Sequence, residues 1–373
     1  MRIAVNTRLL LKNKLEGIGW FAYESLKRIT TQHPEHEFIF IFDRPFDSDF
    51  VFGDNVKAIK TGLPARHPFL FYLWFEHALP AVFQKYKPKL FLSPDGYLSL
   101  NTSIKQLPVI HDLNFAQYPK DLPFLMSKYY NFYFPLFAKK AHRIATVSEF
   151  SKKDIHERYG IDLQKIDVVY NGANDQFKPI NESEKTQTKL KHSFGCDYFL
   201  FVGSLHPRKN LKNLFLAFDA YKQKEGGNVK LLIVGEKYYW PSDLENTFNQ
   251  MKHKNDVIFV GRMYHDELNK IIASSLAMAY VSYYEGFGIP IVEAFYCETP
   301  VITSNVTAMP ETAGNAALLV DPFSVNSIAD ALSNIAGNKM LRDELVANGI
   351  ARKNEYTWQK TADNLWLSIE KCF

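Results

Sequence analysis

Two glutamates stand eight residues apart in the stretch Glu285-Gly-Phe-Gly-Ile-Pro-Ile-Val-Glu293. The preceding Tyr280-Val-Ser-Tyr-Tyr reads as the end of a strand. Gly286 and Gly288 bracket Phe287 in a turn that lets bare backbone approach a ligand. Ile289 leads on to Pro290, which suits the first helical position, where its missing N–H costs nothing. The spacing predicts Glu285 at a strand exit, a helix N-terminus just after it, and Glu293 about one turn in. A helix start offers unpaired N–H groups and partial positive charge, which suits a phosphate. A carboxylate can accept both hydroxyls of a ribose. The layout fits a ligand with a sugar at one end, phosphate in the middle and a ribose at the other. The plain alternative is a capped surface helix with two solvated acids. The glycines and proline between the acids argue against it.

Cationic groups that could meet such a phosphate follow another apolar run, in Gly203-Ser204-Leu-His-Pro-Arg208-Lys209-Asn210-Leu211. Arginine brings a planar fork for phosphate oxygens and lysine a compact charge. Asn210 reads as the cap of the helix behind them. Gly17-Ile-Gly19 is a second anion-binding candidate, but it lacks the full glycine fingerprint, and a plain loop before a helix reads nearly as well. His111-Asp112 follows the strand Pro108-Val-Ile110. Asp112 could accept a proton from an attacking hydroxyl or stabilise a cationic sugar. Taken alone, the pair reads equally as local turn bonding. Ser148 reads as a helix cap, with Glu149 beside it. Asp47-Ser-Asp49 matches a metal-binding D-x-D pattern but sits in an early polar loop and reads as coincidence. No other feature calls for a metal.

The elements that must position these groups alternate along the whole chain. Apolar runs at Ile3–Thr7, Glu37–Asp43, Leu90–Ser93, Pro108–His111, Arg143–Val147 and Asp167–Tyr170 read as strands with helices between them. After a polar stretch near 174–190, read as a linker, the pattern restarts at Tyr198–Val202, Val229–Val234, Val257–Val260 and Ala277–Ser282. Such alternation predicts parallel sheets flanked by helices, with ligands beyond the carboxyl ends of the strands. A final helix near Thr357–Lys371 carries Trp358, Leu365, Trp366 and Ile369 at helical spacing.

The 373 residues suffice for two domains with separate cores. With 46% hydrophobic and 23% charged residues, the composition is that of a soluble globular protein. Three scattered cysteines suggest neither a disulfide framework nor a zinc site, and point to a reducing cytoplasm. Met1–Arg8 reads as a strand rather than a signal peptide, and no transmembrane run is expected. Residues 1–180 balance at +6 and the remainder at −2. The basic half is also aromatic, as in Pro68–Phe75 and Tyr129–Lys140. Those stretches read as core helices with a basic outer edge, or as peripheral contact with the inner face of a membrane. Nucleic acid is not expected, because the excess charge is small and no binding motif appears.

The Glu285–Glu293 stretch closely resembles the E-x7-E motif of retaining glycosyltransferases of family 4, which have the GT-B fold. The resemblance continues through Cys297–Asn305, Met309-Pro310-Glu311 and Gly314–Pro322, and upstream through the 203–211 turn. The run Val109-Ile-His111-Asp112-Leu-Asn-Phe, with Pro119 beyond it, is similar to the His-Asp segment of the mannosyltransferase branch. In all it covers most of residues 107–340. It implies an α/β fold of two doubly wound, Rossmann-like domains facing a cleft. Residues 1–175 would bind the acceptor, residues 190–355 the nucleotide sugar, and a helix in 356–373 would pack back on the first domain.

By the same resemblance Glu285 meets the donor sugar and Glu293 the nucleotide ribose. Ser204, Arg208, Lys209 and the Gly17–Gly19 loop meet the diphosphate, and Arg262 lies near the base. Gly286, Phe287, Gly288 and Ile289 line the donor. His111 contacts the transferred sugar, and Asp112 faces the reaction centre. Many members read Gly-Arg-Leu at the diphosphate turn. Here Ser204 follows Gly203 and the arginine directly precedes Lys209, so which phosphate Arg208 reaches stays open. The implied activity is retaining transfer of a hexose, with GDP-mannose the favoured donor, to a glycan or lipid-linked acceptor in surface-polysaccharide assembly. It needs no cofactor beyond the sugar nucleotide and no metal. A sugar-nucleotide epimerase or phosphorylase of the same fold, or a non-catalytic sugar-nucleotide-binding regulator, are the alternatives.

Overall fold

The computed structural model describes residues 1–62, 64–65, 67–236 and 240–373. The chain divides into two compact units. One comprises Met1–Gly172 with Thr357–Phe373, the other Ala173–Tyr356.

The first unit is built on seven strands among the described residues: β1 (Arg2–Asn6), β2 (Glu37–Phe42), β3 (Val56–Lys60), β4 (Leu90–Ser93), β5 (Lys105–Ile110), β6 (Ile144–Thr146) and β7 (Ile166–Val168). Their order is β3-β2-β1-β4-β5-β6-β7, and every pairing is parallel. Parallel strands covered on both faces need apolar side chains on both. The run Phe38-Ile-Phe-Ile-Phe42 accordingly lies fully inside. Chain order reverses between β1 and β4, so loops leaving these two strands diverge and open a crevice at their carboxyl ends.

The terminal helix Trp358–Glu370 belongs to this unit. It buries Trp358, Leu365, Trp366 and Ile369, and the indole of Trp366 stacks on His33, with ring centres 3.6 Å apart. Backbone contact is tight where the unit's two segments meet. A Cβ on Gly172 would lie 2.3 Å from the Trp358 nitrogen.

The second unit repeats the plan with β8 (Tyr198–Val202), β9 (Lys230–Val234), β10 (Val257–Gly261), β11 (Ala277–Tyr280), β12 (Val301–Ser304) and β13 (Leu318–Val320). Their order is β10-β9-β8-β11-β12-β13, again parallel throughout, with the reversal between β8 and β11. The core on one face of this sheet includes Phe199, Phe201, Leu214, Phe218, Leu231, Ile233 and Leu332.

The polar stretch read as a linker near 174–190 is in part a helix, Glu182–Ser193, within the second unit. Asn181 and Glu184 form a reciprocal capping box: the Asn181 carboxamide accepts from the Glu184 N–H at 2.9 Å, and Glu184 accepts from the Asn181 N–H at 3.3 Å. This capping stabilises a helix whose apolar content is too low to reveal it.

Candidate active site

In the second unit the reversal between β8 and β11 gathers the charged groups. The loop after β8 carries Arg208 and Lys209, and the loop after β11 carries Glu285. Arg208 Nη1 lies 2.5 Å from one Glu285 oxygen, and Lys209 Nζ lies 2.6 Å from the other. Glu285 and Lys209 are each 6% exposed. Burial pushes the Glu285 carboxyl upward, but the adjoining cations outweigh it and hold the group down at about 2. Glu285 is therefore ionised throughout the neutral range.

Lys209 also donates to the hydroxyl of Tyr280, the last residue of β11. Burial, reinforced by the Glu285 charge, keeps that phenol well above its ordinary pKa of 10, so it remains a neutral acceptor. Arg208 is pinned at both ends: its carbonyl accepts from Tyr283 N at 3.0 Å, and Nη1 donates to the Tyr284 carbonyl at 3.2 Å. Asn210 does not cap the following helix Leu211–Glu225 with its side chain. It sits in the left-handed region at φ 61° and donates instead to the carbonyls of Val281 and Pro322. It thereby ties the cationic loop to the β11 exit, which a local cap could not do.

The turn after Glu285 is set by steric limits. Gly288 has φ +96°, and a Cβ there would come 2.8 Å from Met309 Cε. The helix begins at Ile289, so Pro290 takes its second position rather than the first expected from sequence. Phe287 is buried, packs edge-on against Tyr356, and its carbonyl accepts from Thr312 Oγ1 at 2.6 Å. The Glu285 backbone is held by the 306–309 turn: its N–H points to Thr307 Oγ1 at 3.4 Å, and its carbonyl lies 3.5 Å from Ala308 N. Thr307 adopts φ 58°, a conformation a β-branched residue pays for. Behind the cationic loop, Gly203 and Gly235 pack so closely that a Cβ on Gly235 would lie 1.9 Å from the Gly203 carbonyl oxygen. Ser204 is exposed beside this contact, and Arg262 is exposed after β10.

Glu293 is the opposite kind of acid. It lies in the helix Ile289–Tyr296, half-buried, with no hydrogen-bond or ion-pair partner for its carboxylate among the described residues. Burial alone pushes its pKa up to about 7. Part of the side chain still meets water, which limits that rise.

In the first unit, His111 follows β5. Its Nε2 lies 2.8 Å from the Pro94 carbonyl, its ring meets Phe21 edge-on, and its own carbonyl accepts from Ser151 Oγ at 3.2 Å. A carbonyl can only accept, so Nε2 carries the hydrogen and Nδ1 is bare. Burial lowers the imidazole below its ordinary 6.5, against the upward pull of the Pro94 bond, Asp112 and Asp95. Asp112 Oδ1 accepts from Asn114 N at 3.0 Å. Gly17 and Gly19 stand in the first turn of the helix Gly17–Gln32 rather than in a loop before it. A Cβ on Gly19 would approach the Leu9 carbonyl at 3.1 Å and Leu15 Cδ2 at 3.2 Å, so close packing is one reason for glycine there. Ser148 caps its helix, accepting from Ser151 N at 3.0 Å. Asp47 and Asp49 both pair with Lys12, at 2.7 and 3.2 Å.

Tyr280 and Thr307 escaped sequence reading because each acts on a partner far along the chain. A hydroxyl at a strand's last position and a threonine inside the family-like segment were the available signals. Also missed was a buried pair at the β1/β4 reversal, Arg8 with Asp95, whose Nε–Oδ2 distance is 2.5 Å.

Two family models together span nearly the whole chain: "Glycosyltransferase Family 4" over residues 16–177 and "Glycosyl transferases group 1" over residues 182–352. The O-antigen chain mannosyltransferase B of Escherichia coli is 24% identical over 360 residues, covering 94% of each chain. The O-antigen chain mannosyltransferase RfbU of Salmonella typhimurium is 30% identical over 272 residues, 71% of this chain and 70% of that one. Among solved structures, Anabaena HepE in complex with UDP and glucose superposes with a TM-score of 0.78 at 14% identity over the full length of both chains. That likeness speaks for the fold alone, which is GT-B with two parallel-sheet, Rossmann-like domains. With both units matched by family models and 30% identity to RfbU, the chain belongs to the family 4 glycosyltransferases.

Proposed function

We infer that the protein transfers a hexose, with mannose from GDP-mannose as the favoured donor, to a growing surface polysaccharide with retention of configuration. The observation that carries this reading is the ion cluster of Glu285 with Arg208 and Lys209 at the β8/β11 reversal, beside the Gly286–Gly288 turn. Two cations against one carboxylate leave a net positive charge at a helix start, which favours a diphosphate. Charge appearing on the departing diphosphate would be stabilised there by groups already held in place, an effect commonly worth about 3 kcal/mol per donor. The mannose and polysaccharide assignments draw on the two O-antigen mannosyltransferases the chain resembles.

The residues divide the work by their charge states. Glu285, ionised and fixed, accepts from hydroxyls of the donor sugar and cannot serve as an acid. Glu293, whose carboxylate has no partner among the described residues, accepts the two ribose hydroxyls. From the family resemblance, His111 meets the transferred sugar and Asp112 the reaction centre. We assign the acceptor's proton to the leaving phosphate: the acceptor oxygen forms its bond to the anomeric carbon as the bond to the phosphate oxygen breaks, on the same face. No covalent sugar–enzyme adduct forms.

A lipid-linked acceptor is favoured by a feature of the first unit. Phe69, Phe124, Leu125 and Phe132 are all at least 60% exposed, and Lys128 lies against Phe124. Tyr72, Phe132, Tyr133 and Leu136 line a groove of about 380 Å³. Exposed rings with a lysine beside one of them suit an anionic bilayer surface.

Transfer from GDP-mannose, compared with UDP- and ADP-sugars, to short mannose oligosaccharides tests the function, with the anomeric proton of the product read by NMR. An α-linked product from an α-linked donor supports the reading. An inverted product, or a sugar trapped on a side chain of Glu285→Gln, overturns the mechanism. Turnover of a sugar nucleotide without any acceptor would favour an epimerase instead.

A further inference from the structure

We propose that Asp95, held by Arg8 and Asn6, is a positioning residue that fixes the tautomer of His111 by locking the 93–97 turn. This rests on the reading of His111 as a group that meets the donor sugar.

All members of the network lie in the first unit. Asp95 is 9% exposed and Arg8 7%. Oδ2 receives the Arg8 Nε at 2.5 Å. Oδ1 receives Asn6 Nδ2 at 2.7 Å and Ser93 Oγ at 3.0 Å, with the Tyr97 N–H at 3.5 Å. Asn6 Nδ2 also reaches Ser93 Oγ at 3.1 Å. The guanidinium carbon lies 4.3 Å from the centre of the Tyr97 ring and 4.9 Å from that of Phe71. Burial works against the Arg8 charge, and Asp95 first, with Tyr97 and Tyr130, more than restores it. One carboxylate thus joins the end of β1, through Asn6 and Arg8, to the end of β4, through Ser93.

The turn held in this way is the one that engages His111. Pro94 lies between Ser93 and Tyr97, both of which donate to Oδ1, and its carbonyl accepts from His111 Nε2 at 2.8 Å. Gly96, two residues on, has φ +86°, and a Cβ there would meet Phe134 Cε1 at 2.9 Å. The turn is therefore confined by packing on one side and by Asp95 on the other. With the carbonyl fixed, the hydrogen stays on Nε2 and Nδ1 stays an acceptor, the form able to receive a sugar hydroxyl. If the turn relaxes, Nε2 loses its partner and both tautomers become populated. The role of Asp95 is not that of a catalytic residue, because it acts through Pro94.

Two charge-balanced variants of the full chain separate this role from simple loss of stability. In Arg8→Met/Asp95→Asn the amide oxygen keeps its bonds to Asn6 and Ser93. In Arg8→Met/Asp95→Leu it is gone. Long-range nitrogen NMR of histidine-labelled protein, with the signal assigned by its absence in His111→Gln, reads the tautomer directly. The Asn variant should keep a single Nε2–H form and near-native turnover. The Leu variant should show a mixture and lose about a hundredfold in kcat, the cost of a misplaced group. Combining the Leu variant with His111→Gln should add little to the loss from His111→Gln alone.

A single Nε2–H tautomer in the Leu variant, or fully additive losses, overturns the inference. If the Leu variant does not fold, Asn6→Ala removes one donor to Oδ1 and is held to the same readout. Wild-type turnover in His111→Gln would instead remove His111 from the reaction, while the tautomer measurement still decides the positioning.

Discussion

The two chain reversals place the same kind of contact at corresponding points and use it differently. After the first strand of each inner pair comes an arginine, Arg8 after β1 and Arg208 after β8. After the second comes a carboxylate, Asp95 after β4 and Glu285 after β11. In the first unit the pair is closed: Asn6, Ser93 and the faces of Phe71 and Tyr97 surround it. In the second unit, Lys209 is added and the helix start after Gly288 adjoins, with Glu293 further along that helix. Topology brings two loops together in each unit and a glycine follows each carboxylate, so the difference lies in charge: among the described residues a second cation, Lys209, stands only beside Glu285.

The largest effect that would break this contrast is on catalysis. Lys209→Met should lower kcat for sugar transfer by about 10²–10³, as removal of a preorganised stabilising donor does elsewhere. The melting temperature should change far less than activity, because Arg208 still neutralises Glu285. A loss below tenfold would make the second pair a lock like the first.

On stability the order reverses. Arg8→Met strands the buried Asp95 charge and should cost about 3–5 kcal/mol, whereas Arg8→Met/Asp95→Leu should recover most of it. Urea unfolding of the whole chain, followed by a probe in the first unit, checks both. Equal stability of the single and double variants would show that the pair is solvated.

The acids Glu285 and Glu293 sharpen the comparison through pH. Glu285, lowered to about 2, contributes stability that is present above its unfolded value near 4.5 and lost as pH falls toward 2. Glu293, raised to about 7, acts with the other sign: the folded state binds the extra proton, so this group's contribution weakens as pH rises from about 4.5 through 7. Ribose hydroxyls prefer the ionised acid, so donor binding near pH 6.5 should release protons. Calorimetry in buffers of different ionisation enthalpy measures that release. Glu293→Gln should abolish it and raise the donor KM by about tenfold, the worth of one charged hydrogen bond.

The smallest expected effect concerns Thr307. Thr307→Gly relieves its left-handed backbone while removing the hydroxyl near Glu285 N. Thermal unfolding should shift by no more than about 1 kcal/mol equivalent, and transfer should slow a few-fold. Unchanged kinetics would separate the 306–309 turn from the placement of Glu285.

Where one residue type must recur, the sequence was legible. Strands such as Tyr198–Val202 and Leu90–Ser93 are visible because burial on both faces demands uninterrupted apolar residues. The Glu285–Glu293 arrangement was visible because strand exit, glycine turn and helix start adjoin in the chain. Less visible were β3 and β13, whose residues are half polar or partly exposed at sheet edges. The helix Glu182–Ser193 was missed because capping rather than an apolar face stabilises it. Asn210 looked like a local cap, yet its partners are 71 and 112 residues away. Arg8 and Asp95 are 87 residues apart, and only strand order makes them neighbours. Reading polar residues that directly follow buried strands, then pairing them across the reversal, would have found this cluster.

The first unit is assembled from both ends of the sequence, and this orders its synthesis. When Gly172 leaves the ribosome, the helix that will cover His33 does not yet exist. Another 184 residues must be made before Thr357 appears, which at about 5–20 residues per second takes roughly 10–40 s. For that interval the surface awaiting Trp358, Leu365 and Ile369 stays bare. The nascent first unit therefore waits with apolar surface uncovered while the whole of the second is being made, the circumstance in which partly built chains aggregate.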